Sequence, residues 1–504
     1  MLRFETTVHP AFTVGRTDPR LFGSFVEHMG SVVYRGIFQP GHPSANAHGW
    51  RTDVLELLKG LHLSVIRYPG GNYTSAYRWE DTVGKNRKPT LNLPWREMEP
   101  NEFGLHEFFA WLSELGAQPM LTVNLGTRGA MEAADLLEYC NMESGTKFSE
   151  MRRENGAEKP FGVKMWCLGN ELDGSWQIGH KGAKEYGRLA EITGQYMRRF
   201  DPDLELACVG SSSTQLENYP DWNRKVLMQC FDQVDFITLH RYLSKKGLNT
   251  ASYLSSPSDM DGMIETVVRA CDHAAACHRS GKKIRISFDE WNVGPVEADG
   301  DLGIWPVGPM RDCIAFTFED ALVFAGMMLS LLRHADRVAV ACQALLVNDL
   351  GMVLCDERGA WPNTTYPIFR FLSEYGRGVV LQTRNAGAVL DTEAYGSQPA
   401  LDVYAVRSEE ELRLFAVNRT PEKVRWTIHA CGFGEFDGEI RAMEIHAPLE
   451  ARNSYEAPDT VRVTPAELPL LRGETLEGDV NPYSLTLWSI GRKDKDKGGR
   501  DEQE

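Results

Sequence analysis

The sequence is poor in the features that mark several large functional classes. Its ten cysteines (Cys140, Cys167, Cys208, Cys230, Cys271, Cys277, Cys313, Cys342, Cys355 and Cys431) are scattered, with no C-x-x-C pair and no regular spacing. That excludes a disulfide scaffold and a thiolate zinc module as first readings. Several sit in apolar runs such as VKMWCLGN and VAVACQALL, the setting of small buried hydrophobes in a reducing compartment. There is no H-E-x-x-H, and His42 and His48 fall in a Gly/Pro-rich loop, so neither a metal nor another cofactor is expected. No G-x-G-x-x-G follows the first apolar run, which removes the usual dinucleotide signal. Positive charge is short: 54 Lys+Arg stand against 70 Asp+Glu, a net charge of −16. Such a chain lacks the footprint for phosphate backbones or anionic lipid, so no nucleic-acid and no membrane partner is expected. The longest apolar stretch, Ala321 to Leu332, is too short to span a bilayer, and MLRFETTVHPAFTVG has no apolar region of signal length. A cytoplasmic protein is expected.

What is present is the material of a large globular protein. Hydrophobic residues make up 42%, with 12 Trp and 22 Phe. A length of 504 residues allows about three domains of ordinary size, or one barrel of about 250 residues or more with an appendage. Eight short β-branched or aromatic runs recur along the first three quarters of the chain: Leu21 to Val26, Ser64 to Tyr68, Gln118 to Leu125, Val163 to Leu168, Leu204 to Gly210, Val234 to His240, Ile284 to Asp289 and Arg337 to Leu346. Between them lie amphipathic segments such as 52–61, 105–116, 131–140, 183–200 and 320–332. Strand then helix, eight times, predicts an α/β fold of the (β/α)8 TIM-barrel type over 19–375; a doubly wound open sheet is the competing arrangement. From about Gly376 the runs become short and alternating without helices, which predicts an antiparallel β-sandwich over 376–491. Residues 1–18 are expected to lend it a strand. Residues 492–504, almost wholly charged or Gly, are expected to be a disordered tail.

In a barrel, catalytic side chains stand at the C-terminal ends of the strands. The residues closing the runs are Glu27 and His28, Arg67 with GGN ending at Asn72, Asn124, Asn170 and Glu171, His240 and Tyr242, and Glu290. Glu171 and Glu290 lie on non-adjacent strands, inside WCLGNELDG and DEWN. Two such carboxylates can face each other across a glycosidic bond as general acid and nucleophile. Asn170 is placed to hydrogen-bond a hydroxyl beside the reacting carbon. Trp79, Trp95, Trp166, Trp176 and Trp291 cluster near these strings, and aromatic faces suit sugar C–H faces.

These strings resemble glycoside hydrolase family 51, the retaining α-L-arabinofuranosidases. The similarity runs through FGSFVEHMG (22–30), VIRYPGGNYTSAYRWED (65–81), PWREMEPNEFG (94–104), VNLGTRG (123–129), MWCLGNELDGSWQIGH (165–180), LHRY (239–242) and DEWN (289–292). The resemblance implies Glu171 as acid/base and Glu290 as nucleophile. It further implies Glu27, Asn72, Trp95, Asn170 and Tyr242 as furanose-binding residues, with Arg67 and His240 orienting Glu290 and keeping it ionised. It also implies that the sandwich is a jelly roll, that the substrate is an arabinan- or arabinoxylan-derived oligosaccharide, and that the protein is a homo-oligomer, a hexamer. Two positions depart from the pattern. Gly294 stands where a Trp is expected, with Trp305 further along the loop as its replacement, and Leu345 stands in place of a sugar-binding Gln, a role that Gln343 does not inherit. These changes keep open the same chemistry on another furanoside or a β-glucan. From other classes, a non-hydrolytic sugar-binding barrel would share the site, whereas an isomerase or aldolase would need a metal cluster or a Schiff-base Lys that the strand ends do not offer.

Overall fold

The computed structural model describes residues 1–294, 305–310 and 313–492. The eight apolar runs form one closed parallel barrel: β1 (Gly23–Phe25), β2 (Val65–Tyr68), β3 (Gln118–Thr122), β4 (Met165–Leu168), β5 (Glu205–Cys208), β6 (Phe236–Leu243), β7 (Arg285–Val293) and β8 (Val338–Gln343). Closure of β8 onto β1, through Cys342 opposite Gly23, excludes the open doubly wound sheet. The strands read as continuous apolar runs because both faces are covered: Met165, Trp166, Cys167 and Leu168 of β4 are all buried.

The helices between the strands follow from local signals. Leu105–Leu115 begins where Glu107 reaches back to accept from the Gly104 N–H at 2.9 Å, and ends at Gly116 in the left-handed region, φ 65°. Ala183–Phe200 buries Tyr186, Ala190, Thr193 and Met197 at helical spacing against the helix Asp221–Cys230. The helix Phe318–Arg333 is different, since every residue before Arg333 except Asp320 is buried. An all-round apolar helix needs cover on all sides. This one has the barrel on one side and the C-terminal sheet on the other.

That sheet has ten strands, in the order Val463–Pro465, Phe436–His446, Ser484–Arg492, Glu411–Asn418, Leu401–Arg407, Val379–Gly387, Leu2–Arg16, Val424–Ala430, Thr475–Val480 and Leu470–Arg472. It curls over itself, because Trp426 and Trp488 from distant strands stack at 4.8 Å. The side-chain alternation of its central strands divides two cores. Leu401, Val403, Ala405, Leu412, Leu414 and Ala416 line the inside of the sandwich, while Tyr404, Val406, Phe415 and Val417 join the barrel core. Leu2–Arg16 sits mid-sheet, antiparallel to Val379–Gly387 and parallel to Val424–Ala430, so the expectation of a purely antiparallel sandwich is corrected at that one pairing. Ala447 and Val461 pack into the barrel core, and the Phe318 N–H donates to the Ala451 carbonyl at 2.8 Å. Arg492, placed with the tail by its charge, closes the last strand; the rest of the expected tail, 493–504, lies outside the described residues.

Candidate active site

The strand-end residues converge on one pocket at the C-terminal mouth of the barrel, and Arg67 at the end of β2 is its hub. The fully buried guanidinium donates to Glu290 Oε1 at 2.7 Å, to Asn170 Oδ1 at 2.6 Å and to Thr122 Oγ1 at 3.2 Å. The other Glu290 oxygen accepts from the Tyr242 hydroxyl at 2.9 Å. Across the pocket, Glu171 Oε1 meets His240 Nδ1 at 2.8 Å and Glu171 Oε2 accepts from the Trp176 indole N–H at 2.5 Å. An oxygen of Glu171, an oxygen of Glu290 and a ring nitrogen of His240 lie within 4.8 Å of one another. Three such groups could hold a cation. Here each of the four carboxylate oxygens already has a side-chain partner, which is the arrangement of two positioned carboxyl groups rather than of an open metal cage.

Burial and charge work against each other on these groups. Burial and the nearby Glu171 carboxyl push Glu290 above its ordinary value, with His240 and Arg67 pulling the other way. Burial opposes the charge on His240, yet Glu290, Asp289 and Glu171 together hold its imidazole well above its ordinary value. Glu27, at the end of β1, is raised to about 8, chiefly by burial. Its Oε1 accepts from the Tyr73 N–H at 2.8 Å and from the Trp95 indole at 2.9 Å. The glycine pair of PGGN makes room for it, since a Cβ on Gly71 would stand 2.8 Å from Glu27 Oε2 and one on Gly70 2.5 Å from its Cγ.

Most of the sequence-derived site residues therefore meet. Hydrogen bonds join Arg67, Asn170, Tyr242 and Glu290 in one group, Glu171 and His240 in a second and Glu27 and Trp95 in a third, and His240 stands 3.5 Å from Glu290. Asn72 is half-buried on the adjacent turn, where its carbonyl accepts from Gln177 Nε2 at 3.3 Å. Two residues make contacts the expectation did not include. His240, expected to orient Glu290, stands closer to Glu171, at 2.8 Å against 3.5 Å to Glu290. Tyr242, expected on the sugar ring, spends its hydroxyl on Glu290.

Other expectations fall outside the pocket. Trp79, Trp166 and Trp291 are core residues, 2% exposed or less, leaving Trp95 and the 48% exposed Trp176 as the aromatic walls. Asn124 caps its own loop by accepting from the Gly126 and Thr127 N–H groups. His28 ties Glu99 (2.7 Å) to Tyr68 (2.9 Å) and so anchors the hairpin that carries Trp95. Gln343 is held inside the barrel by Ser24 and the Ala344 carbonyl. Leu345 is buried. Gly294 adopts φ 104°, with Phe316 and Leu350 filling the space where a larger side chain would stand. Trp305 is half-buried, and the neighbouring Pro306 carbonyl accepts from the Met98 N–H of the same hairpin; residues 295–304 lie outside the described residues. Sequence reasoning missed Asp289, because its neighbour carried the strand-end signal, and Gln177, whose amide bonds Ser75 Oγ at 2.6 Å and Asn170.

Comparison with known proteins agrees with this geometry. Residues 57–258 match the family described as alpha-L-arabinofuranosidase 1 domain, and residues 289–484 match the alpha-L-arabinofuranosidase C-terminal domain. An intracellular exo-alpha-(1->5)-L-arabinofuranosidase from Streptomyces lividans is 44% identical over 95% of this chain and 74% of its own. An exo-alpha-(1->6)-L-arabinofuranosidase from Bifidobacterium longum is 43% identical over 90% of each. The solved structure of a family 51 alpha-L-arabinofuranosidase from Bifidobacterium longum superposes with a TM-score of 0.91 at 34% identity, covering 97% of this chain and 100% of that one.

Proposed function

The chain belongs to the family 51 α-L-arabinofuranosidases, and from that premise we propose that it is an exo-acting, retaining enzyme that releases terminal arabinofuranosyl residues from arabinan- or arabinoxylan-derived oligosaccharides. The observation that carries the retaining mechanism is the closeness of the two carboxylates. Oxygens of Glu171 and Glu290 lie within 4.8 Å, short of the roughly 6.5–9.5 Å that inverting glycosidases need for an intervening water and on the side of the closer spacing, about 5 Å, of retaining ones.

In this reading a Glu290 oxygen attacks the anomeric carbon as Glu171 passes its proton to the departing glycosidic oxygen. The C–O bond to the leaving sugar breaks and an arabinosyl ester on Glu290 forms. Glu171, now a carboxylate, takes a proton from water, which attacks the same carbon from the vacated face and frees arabinose with retained configuration. Arg67 and Tyr242 stabilise Glu290 as it departs, and Glu27, Asn72, Trp95 and Asn170 hold the furanose ring.

Relatives of near-equal identity are named for (1->5) and (1->6) linkages, so a panel of linkage-defined arabino-oligosaccharides reads the preference. Glu290→Ala should lose about 10⁴-fold or more of its activity and regain part of it in azide, with the inverted arabinosyl azide as product. Undiminished turnover would refute the nucleophile, and no turnover of any α-L-arabinofuranoside by the unmodified protein would refute the function. The intracellular naming of relatives and the burial of seven of the ten cysteines support an intracellular location. Among the described residues no helix is long and apolar enough to cross a membrane. The family resemblance extends the proposal to a homo-oligomer, a hexamer, which light scattering measures.

A further inference from the structure

We propose that Asp289, next in sequence to the nucleophile, is a positioning residue that sets the direction of the Arg67 guanidinium and both the charge and the direction of the His240 imidazole. The inference rests on the reading above of Glu171 and Glu290. In a regular strand Asp289 and Glu290 would point to opposite faces. In β7 they do not. Ser287 pairs with Thr238 and Glu290 with His240, so three steps on β7 oppose two on β6; likewise Phe288 pairs with Ala341 and Trp291 with Gln343, again three steps against two on β8. One extra residue is inserted between Ser287 and Trp291, and such a bulge re-aims side chains. Both carboxylates consequently reach the same two partners.

The contacts are paired. Arg67 donates Nη1 to Glu290 Oε1 at 2.7 Å, while its Nε, whose N–H goes to Thr122 Oγ1, lies at an ion-pair distance of 3.1 Å from Asp289 Oδ2. His240 turns Nδ1 to Glu171 (2.8 Å) and Glu290 (3.5 Å), and its Nε2 faces Asp289 Oδ1 at an ion-pair distance of 3.3 Å without a hydrogen bond formed between them. Asp289 is 0% exposed, so it touches neither substrate nor solvent and acts only through these cations. The other titratable groups facing it are the thiols of Cys167 on β4, which donates to Oδ2 at 3.5 Å, and Cys342 on β8; burial pushes both thiols up, so they stay neutral. Asp289 itself is held below its ordinary value by Arg67 and His240 against the opposing effect of burial. Glu290 and Glu171 on the Nδ1 side and Asp289 on the Nε2 side together favour an imidazole protonated at both nitrogens, with Asp289 supplying the Nε2 side of that balance so that Nδ1–H donates toward Glu171 and Glu290.

The test is Asp289→Asn, which keeps the shape and removes the charge. Taking away one negative charge makes every neighbouring group hold its proton less tightly, so both limbs of the kcat/KM profile move to lower pH. We expect a shift of about one unit or more with kcat lowered about 100-fold or more and KM changed little, by analogy with the loss of a carboxylate behind a catalytic imidazole. A profile superimposable on that of the unmodified enzyme, merely scaled down, would overturn the proposal. If the variant does not fold, the unmodified protein still decides: the His240 ring resonance should stay in the imidazolium form above pH 7, and titration at or below an ordinary imidazole value would overturn it. Failure here leaves the unmodified enzyme active on arabinofuranosides; failure of the functional reading does not.

Discussion

Replacing Arg67 with methionine tests the charge balance of the pocket. Methionine keeps much of the length of the arginine stem but removes the cation between Glu290 and Asp289 and the donor to Asn170. Removing one partner of a buried ion pair costs about 3–5 kcal/mol, because the remaining charges stay desolvated and uncompensated. With an unfolding entropy of about 2.1 cal/mol/K per residue, a cooperative chain of this length loses roughly 1 °C of Tm per kcal/mol, so the variant should melt about 3–5 °C lower at pH 8. The loss should shrink on acidification. In the unmodified protein Asp289 is held below its ordinary value, so its contribution to stability is present at neutral pH and lost as pH falls through that depressed value. In the variant both carboxylates lose the cation and bind protons more tightly when folded than unfolded, so its stability is best at low pH and falls as pH rises. Only the second effect acts between pH 8 and pH 5, because Asp289 of the unmodified protein stays ionised until well below that window; it narrows the gap, which scanning calorimetry at the two values measures. A Tm difference that is absent, or equal at both pH values, would refute the account of Arg67 as the counter-charge. Activity should fall with it, since Glu290 is then protonated over more of the pH range.

Two further outcomes follow from single contacts. Trp176→Ala removes the indole N–H from Glu171 and the exposed aromatic wall beside it; kcat/KM should drop about 10–100-fold on arabino-oligosaccharides but far less on a nitrophenyl arabinofuranoside, whose leaving group needs little protonation, and equal losses on both would count against Glu171 as the acid. Gly71→Ala places a methyl 2.8 Å from Glu27 Oε2 at an ordinary φ of −77°, so KM should rise about tenfold or more, the loss of roughly one hydrogen bond, while Tm changes by no more than a degree or two; an unchanged KM would show that Glu27 does not grip the sugar.

The barrel was legible because its strands are buried on both faces: all eight apolar runs became strands, and the polar residues that closed them, Asn124 and His28 apart, became the pocket. What periodicity could not show was where the period breaks. The extra residue in β7 turns Asp289 inward beside Glu290, and alternation read from the sequence assigns it to the outside. The tryptophans misled for a related reason, since Trp166 and Trp291 lie on barrel strands packed from both sides while Trp95 and Trp176 lie on a hairpin segment and a loop. Composition near a motif does not distinguish the two settings. The parallel pairing of Leu2–Arg16 with Val424–Ala430 joins the two ends of the chain, a contact no local pattern encodes.

The structure also changes what kind of acid–base device the pocket is. Read along the chain, Glu171 and Glu290 are two groups with separate environments, one kept protonated and one ionised. In space, four carboxyl groups, Glu27, Glu171, Asp289 and Glu290, share two cations, Arg67 and His240. Were all four ionised beside two cations, the buried pocket would carry two uncompensated negative charges, which its desolvation penalises heavily. Two protons therefore belong to the pocket at neutrality. One resides on Glu27, raised to about 8, which makes that residue a hydrogen-bond donor as well as an acceptor toward a sugar hydroxyl. The other lies between the two facing carboxyl groups, Glu171 and Glu290, beside His240. It is the proton that catalysis must deliver to the leaving oxygen. Asp289 and Arg67, one carboxylate and one guanidinium out of reach of solvent, fix its place on the Glu171 side by keeping Glu290 paired with a permanent cation.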